Sequence, residues 1–289
     1  MGRQVVTRFA PSPNGWLHLG HALSAILNEE FARFHDGRFL LRIEDIDPAR
    51  SLPEYEAAIC EDLAWLGLSW ERPVRRQSRH LDAYRAALDR LSAMGLTYPS
   101  FMSRGEVKRR VAQAEASGRL WPRDPDGAPV FPPDDKRIAR AEAEARIAAG
   151  AQYAMRLDMD RAIAMAGSDL CFREEGDGRA GEIRADPAAW GDVILWRPDA
   201  PSSYHLSVVV DDAVQSVTDV IRGLDLFAAT SVHRLLQHLL DLPVPRYRHH
   251  RLVLGPDGRK LSKSLASTGL RFLRAEGATP SDIRRMIGL

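Results

Sequence analysis

Near the start of the chain the hydrophobic residues follow first the spacing of a strand, then that of a helix, and then that of a strand again. Residues 5–10 form an apolar run that is typical of a strand, and residues 38–43 alternate like a second strand after the helix stop at Asp36-Gly37. Between them, apolar residues repeat at helical spacing: Leu23, Ile26, Leu27, Phe31 and Phe34. The pattern therefore predicts a β-α-β unit.

The alternation of strand and helix continues beyond this unit. Ser51-x-x-Glu54 has the form of a capping box before a second helix, and residues 81–94 carry a third helical stripe. Such alternation predicts a parallel sheet with covered faces, and ligands bind these sheets beyond the carboxyl ends of the strands. We expect Ser12 and Glu44 to lie at those ends.

The middle of the chain changes character. A capping box at Ser103-x-x-Glu106 precedes a helix, and a proline-rich stretch follows at residues 121–133. Residues 159–187 are poorly patterned. We therefore predict an α/β fold in which a split catalytic domain surrounds an inserted α+β subdomain and a short helical tail follows, with these boundaries: 1–96 and 190–265, 97–189, and 266–289.

Composition narrows the class of protein only slightly. The chain has 289 residues, of which 45% are hydrophobic and 27% charged, as in ordinary globular proteins. It lacks an apolar run long enough for a membrane span and an export signal, so we expect a cytoplasmic protein without membrane contact. A net charge of +1 means that any nucleic acid must be met by local patches. The chain has only two cysteines, Cys60 and Cys171, which excludes a disulfide framework and a metal site built from cysteines alone.

Two segments about 240 residues apart carry the candidate chemistry: residues 10–21, APSPNGWLHLGH, and residues 260–264, KLSKS. His18 and His21 lie at the predicted strand-to-helix junction. Gly15 and Gly20 allow the backbone to approach a ligand closely there, and free amides at a helix start attract phosphate. Each segment alone is weak evidence, because either is more often an ordinary helix start or a solvated loop. Their joint occurrence in this order indicates one ATP site.

The pair resembles the HIGH and KMSKS signatures of class I aminoacyl-tRNA synthetases. Further segments narrow the resemblance to the glutamyl and glutaminyl branch: residues 8–13, RFAPSP; residues 41–50, LRIEDIDPAR; and residues 204–212, YHLSVVVDD, running on to residues 217–222, VTDVIR. The resemblance covers nearly the whole chain. It implies a class I synthetase fold with a Rossmann-like parallel sheet, an inserted acceptor-type subdomain, and a ligase reaction that uses ATP with Mg²⁺.

The resemblance also implies roles for individual residues. The catalytic positions are His18, His21, Lys260 and Lys263, and the ATP-binding positions are Pro11, Ser12, Gly20 and Lys263. The glutamate-binding positions are Arg8, Ala10, Ser12, Glu44, Tyr204 and Arg222. Arg222 favours glutamate over glutamine, because a buried cation left without its anion rejects the neutral analogue strongly. Which arginine meets which carboxylate of glutamate stays open.

The chain ends some 25 residues after the second motif, so we expect no anticodon-binding domain. The short chain resembles the glutamyl-Q tRNA(Asp) synthetase family. This implies activation of L-glutamate without tRNA and transfer of the glutamyl group to queuosine in tRNA(Asp), by a protein that we expect to be monomeric. Members of that family often carry zinc, but Ser100-Phe101-Met102 and residues 125–129 offer no thiolates here. We therefore predict that zinc is absent.

Three other functions stay open. One is a minimal glutamyl-tRNA synthetase that charges the 3′ end of tRNA(Glu). Another is a small-metabolite nucleotidylyltransferase, because His-x-Gly-His serves those enzymes too, although this explains neither Arg222 nor residues 260–264. The last is an inactive RNA-binding paralogue, against which the intact His18, His21 and Lys263 argue.

Other polar groups receive no catalytic role. Asp45 and Asp47 could suggest a carboxylate metal site, but Asp47-Pro48 has the form of a turn and Asp211-Asp212 that of a loop edge. Residues 246–251, RYRHHR, form a basic patch that we interpret as a solvated face able to contact a phosphate backbone.

Overall fold

A computed structural model describes residues 4–177, 180–255 and 269–289. The strands are β1 (Val6–Phe9), β2 (Arg38–Ile43), β3 (Glu71–Arg76), β4 (Thr97–Ser100), β5 (Ala154–Leu157), β6 (Cys171–Glu174), β7 (Gly181–Arg184), β8 (Ile194–Trp196), β9 (Asp219–Gly223) and β10 (Arg246–His250). The helices are α1 (Leu19–Phe34), α2 (Pro53–Trp65), α3 (Leu81–Ala93), α4 (Arg104–Ala116), α5 (Arg140–Ala148), α6 (Met159–Ala166), α7 (Tyr204–Val214), α8 (Thr230–Leu239), α9 (Leu270–Ala275) and α10 (Pro280–Ile287).

The predicted β-α-β unit is confirmed. β1 and β2 pair in parallel with Val6 opposite Arg38, and β3 joins the other edge of β2, also in parallel. The capping box predicted at Ser51 is wrong, because Leu52 is the N-cap of α2 and makes no side-chain cap hydrogen bond. Pro53 occupies the first helical position, where its fixed φ suits the helix and its missing N–H costs no hydrogen bond.

A second sheet, with the strand order β7-β6-β10-β9, meets β1 at the segment that leads into β9. The Val6 amide donates to Thr218 Oγ1 at 2.8 Å, and the Thr218 amide donates to Val6 O at 2.9 Å. β10 then pairs in parallel with β9. The start of β9 therefore lies beside the start of β1, although about 210 residues separate them in sequence.

The inserted segment contributes to two sheets. β4, β5 and β8 form a small antiparallel sheet, whereas β6 pairs in parallel with β10 and carries β7 as a hairpin partner. The sequence pattern over residues 159–187 missed α6, β6 and β7. The domain boundaries remain a proposal, and the strand pairing crosses them, because β6 and β7 belong with the parallel sheet and β8 with the small sheet.

Apolar packing holds these layers together. One cluster joins α1, α2 and the C-terminal helices around β1 and β2, and a second joins α3, α6, α7 and α8 with β5 and β8. Within the three described ranges, no helix combines the length and apolar character that crossing a membrane requires.

Candidate active site

The two histidines of the first motif lie together at the start of α1. His18 is the N-cap, and its Nδ1 accepts from the Gly20 amide at 3.1 Å, while His21 Nδ1 accepts from the His18 amide at 3.1 Å. Their ring centroids are 3.8 Å apart. Because both Nδ1 atoms accept, each neutral ring carries its proton on Nε2. The pair can therefore present two N–H donors at a helix start whose first turn contains no acidic residue.

Gly20 leaves little room for a side chain in this arrangement. A Cβ atom at this position would lie 3.1 Å from His18 Cε1 and 3.2 Å from His18 Nδ1, which is tighter than ordinary side-chain contact. A side chain at this position would require the His18 ring to move by a few tenths of an ångström.

The second motif lies outside the described residues, and so do Lys260 and Lys263. The chain that follows it is nevertheless anchored beside the first motif. Gly269 forms a β-bridge with His18, and the Leu270 amide donates to Leu17 O at 2.8 Å. Gly269 is six residues after Lys263 in sequence.

A buried network of charges lies where β1 and β2 meet α7. Asp212 Oδ1 accepts from Arg8 Nε at 3.0 Å and from Arg42 Nη1 at 2.8 Å. Burial would raise the pKa of Asp212, but the two guanidinium groups outweigh it and hold that pKa below its usual value. Asp211 accepts from Arg75 Nε at 2.7 Å and is fully buried. The interpretation of Asp211-Asp212 as a loop edge is therefore wrong, since both lie inside α7 and hold arginines in place.

Glu44 lies at the carboxyl end of β2, as expected, and its amide donates to Pro11 O at 3.0 Å. Its Oε1 is 3.5 Å from Arg42 Nη2 and, within the described part of the chain, has no hydrogen-bond partner. Burial raises the pKa of Glu44 to about 7, against the opposing pull of Arg42 and Arg8. This carboxyl group can therefore accept a cationic ligand group that supplies the missing donor.

Arg222 on β9 is buried and meets only neutral acceptors. Its N–H groups point to His249 Nε2 at 3.0 Å, Tyr204 Oη at 3.1 Å, His233 Nδ1 at 3.2 Å, Leu226 O at 3.2 Å and Thr230 Oγ1 at 2.7 Å. No carboxylate among the described residues forms an ion pair with it. The guanidinium is thus held firmly while its charge stays uncompensated, which suits a site for an anionic ligand.

Four of the six predicted glutamate-binding residues lie within electrostatic reach of one another: Arg8, Glu44, Tyr204 and Arg222. Burial raises the pKa of Tyr204, the nearby Arg222 and Arg8 lower it, and Glu44 raises it further. The structure therefore brings these four side chains to one place, between the ends of the parallel strands and the start of α7.

Sequence reasoning missed a second set of residues around Arg222. β10 was interpreted as a solvated basic face, which is wrong, because Tyr247, His249 and His250 are buried and β10 is an inner strand of the sheet. Alternating aromatic and arginine residues over 246–249 were the signal for a strand there.

Two further histidines near Arg222 are neutral. Burial lowers the pKa of His205, on α7, to about 4 and that of His233, on α8, well below its usual value.

A cleft of about 1320 Å³ lies beside the start of α7 and is also lined by residues of the inserted segment. Its walls include Ser12, Glu44 and Tyr204 as well as aromatic side chains of the inserted segment, among them Phe101 and Tyr153. The cleft has room for a ligand much larger than an amino acid.

The segment Ser100-Phe101-Met102 is held by ordinary hydrogen bonds. Asp135 Oδ2 accepts from the amides of Phe101 at 2.8 Å and Met102 at 3.1 Å, and Ser100 Oγ accepts from Arg156 Nε at 3.1 Å. Over the described ranges, no group of three or more His, Cys, Asp or Glu side chains could hold a metal ion.

Comparison with models of known protein families identifies the family of this chain. Residues 4–289 match the family model of the tRNA synthetases class I (E and Q), catalytic domain. The chain belongs to this family. The predicted class I synthetase fold is thereby confirmed, and so is the resemblance read from the two motifs.

Individual relatives of this synthetase differ in length. This chain is 48% identical over 289 residues to the glutamyl-Q tRNA(Asp) synthetase of Rhodobacter capsulatus, and the match covers 99% of this chain and 100% of that protein. It is 39% identical over 274 residues to glutamate–tRNA ligase 1 of Ruegeria pomeroyi, covering 95% of this chain and 58% of that protein. The crystal structure of the glutamate–tRNA synthetase from Elizabethkingia anophelis superposes with a TM-score of 0.80 at 26% identity, over 99% of this chain and 61% of that one.

Proposed function

We propose that this synthetase forms glutamyl-adenylate from ATP and L-glutamate and transfers the glutamyl group to queuosine in the anticodon of tRNA(Asp). The observation that carries the proposal is the buried Arg222 guanidinium, which is surrounded by neutral acceptors and contacts Tyr204, a residue that lines the cleft. A site with an unpaired buried cation favours a substrate with a carboxylate at the same point.

The start of α1 is proposed to bind ATP. In the activation step the α-carboxylate of glutamate attacks the α-phosphorus, a new P–O bond forms, and the bond to pyrophosphate breaks. His18 and His21 would donate from Nε2 to the phosphoryl oxygens on which negative charge grows. Pro11, Ser12 and Gly20 are proposed to lie along the nucleotide, and the adjacent helix start adds its amides.

Lys263 and Lys260 are proposed to contact the phosphates from the other side. The bridge between Gly269 and His18 supports this, because it anchors the chain after the second motif beside the first. Class I synthetases use ATP with Mg²⁺. The described residues offer no carboxylate cage, which fits an ion held mainly by phosphate oxygens and water.

The proposed glutamate site combines two cations and one anion. Glu44 is proposed to receive the ammonium group, since its buried Oε1 has no hydrogen-bond donor among the described residues. Arg222, with Tyr204, is proposed to receive one carboxylate, and Arg8 to act on the other. Ala10 and Ser12 complete the proposed site.

Transfer to queuosine is supported by two observations. The relative from Rhodobacter capsulatus, named glutamyl-Q tRNA(Asp) synthetase, is covered over its whole length. The cleft also extends from Glu44 and Tyr204 to aromatic side chains of the inserted segment, where a nucleoside could stack. In the transfer step a hydroxyl oxygen of the modified base would attack the glutamyl carbonyl and AMP would leave.

The test measures both steps. Glutamate-dependent exchange of labelled pyrophosphate into ATP, without tRNA, is the expected result for activation. Labelled glutamate is then supplied with tRNA(Asp) that contains queuosine and with the same tRNA that has guanosine at that position. Label on the anticodon nucleoside of the first tRNA alone supports the proposal, whereas exchange that requires tRNA would contradict it.

Charging of the 3′ end of tRNA(Glu) is the second candidate. It is favoured by the 39% identity to glutamate–tRNA ligase 1 of Ruegeria pomeroyi over 95% of this chain. The same assay separates the two candidates, because label on the terminal adenosine of tRNA(Glu) would replace the proposed acceptor.

A further inference from the structure

Glu174 is a fully buried carboxylate that forms no contact with a lysine or arginine among the described residues, and its side-chain partner is a histidine. It ends β6, and its Oε2 lies 2.6 Å from His249 Nδ1 on β10. Its Oε1 accepts from the amides of His249 at 2.9 Å and Gly176 at 2.8 Å. Hydrogen bonds from His249 and from the two amides outweigh burial and lower the pKa of Glu174, so the carboxylate is ionised at neutral pH.

The tautomer of His249 follows from its two neighbours. Arg222 Nε always carries a proton and lies 3.0 Å from His249 Nε2, so this ring nitrogen must accept. The ring proton therefore sits on Nδ1 and is donated to Glu174. Burial lowers the pKa of His249, which keeps the ring neutral despite its carboxylate neighbour. A proton on Nε2 would set two N–H groups against each other and push the guanidinium away.

His249 also separates two opposite charges. Arg8 and Arg42 both touch the carboxylate of Asp212 directly, so their charges are largely compensated. Arg222 instead reaches Glu174 only through a neutral imidazole ring. The hydrogen bond orients the guanidinium without neutralising it.

The hairpin that carries Glu174 is shaped to permit this contact. A Cβ atom at Gly176 would lie 2.4 Å from both the backbone nitrogen and oxygen of His249, so the turn after β6 can approach β10 only with glycine there. The Glu175 amide donates to Tyr247 O at 2.8 Å and holds the same register.

We propose that Glu174 is a positioning residue for amino-acid selection: by fixing the His249 tautomer, it holds the Arg222 guanidinium in place with its charge available to the side-chain carboxylate of glutamate. Glu174 does not touch the substrate. This inference rests on the proposed activation of glutamate.

Glu174→Gln tests the inference. The glutamine oxygen can still accept from the two backbone amides, but its NH₂ group then faces His249 Nδ1, and the ring proton moves to Nε2. We expect kcat/KM for glutamate to fall about tenfold, mainly through KM, with the KM for ATP unchanged. The ratio of glutamate to glutamine activation should fall by about the same factor.

Glu175→Gln is the matched control, because it makes the same change on the same hairpin at a carboxylate that contacts Arg248 rather than His249. It should leave both the KM for glutamate and the selectivity ratio within about twofold of wild type. An unchanged ratio in folded Glu174→Gln, checked by circular dichroism, would overturn the inference.

The tautomer is measured independently of activity, on the wild-type protein. Long-range nitrogen–proton NMR correlations, with the His249 signal assigned by its loss in His249→Gln, should show a neutral ring protonated on Nδ1. A ring protonated on Nε2 would overturn the inference even if Glu174→Gln does not fold. Absence of glutamate-dependent pyrophosphate exchange in wild type would instead count against the proposed function, and the NMR result would still stand.

Discussion

Glu44 should make glutamate binding depend on pH between 6 and 8. Its pKa is about 7 in the free protein because the carboxyl group is buried, and Oε1 has no hydrogen-bond donor within the described ranges. If the ammonium group of glutamate binds there, it favours the ionised carboxylate and lowers the Glu44 pKa in the complex. Binding to the protonated form then requires loss of a proton, so the affinity is highest well above pH 7 and falls as the pH decreases through 7.

The magnitude follows from the size of the pKa shift. At pH 6, one unit below a pKa of about 7, roughly a tenth of the Glu44 side chains are ionised, so the Kd for glutamate should be about tenfold higher than at pH 8. This corresponds to about 1.4 kcal/mol. At pH 7, binding should release about half a proton per glutamate.

Isothermal titration calorimetry in two buffers with different ionisation enthalpies measures both quantities. Glu44→Gln is the control, and it should bind glutamate more weakly at pH 8 and show no change between pH 6 and 8. His205 stays neutral over this range because burial lowers its pKa to about 4. A wild-type Kd that is equal at pH 6 and 8, without proton release, would refute the reasoning.

Three further substitutions probe the site. Arg222→Gln removes a buried cation that has no anionic partner and should lower kcat/KM for glutamate roughly 10- to 150-fold in pyrophosphate exchange. A kcat/KM within about twofold of wild type would contradict the role proposed for Arg222. Gly20→Ala places a Cβ atom 3.1 Å from His18 Cε1. It should lower kcat about tenfold with little change in the KM for glutamate. An unaltered kcat would argue against the proposed role of His18. Asp212→Asn removes the negative charge that two buried arginines share. It should lower the free energy of unfolding in urea by about 3–5 kcal/mol. A decrease below about 1 kcal/mol would contradict the assigned network.

Local patterns in the sequence were enough for the β-α-β unit, the capped start of α4 and the grouping of His18 with His21. Each of these depends on residues within a few positions of one another: the apolar period of α1, the capping box of Ser103 and Glu106, and a helix start that follows a strand. The motif pair also indicated the family, because its spacing and order are properties of the chain alone.

The environment of Arg222 could not be read in this way. Glu174 and His249 are 75 residues apart, and Arg8 and Asp212 are 204 residues apart. The local pattern of residues 159–187 gives no sign of β6, and the alternation over 246–249 indicates a strand but not which charged groups its residues contact. Only the pairing of β6 with β10, and of β9 beside β1, brings these groups into contact. Hydrophobic periodicity specifies which face of an element is buried, whereas the partner of a buried charge is specified by the neighbour that the sheet supplies.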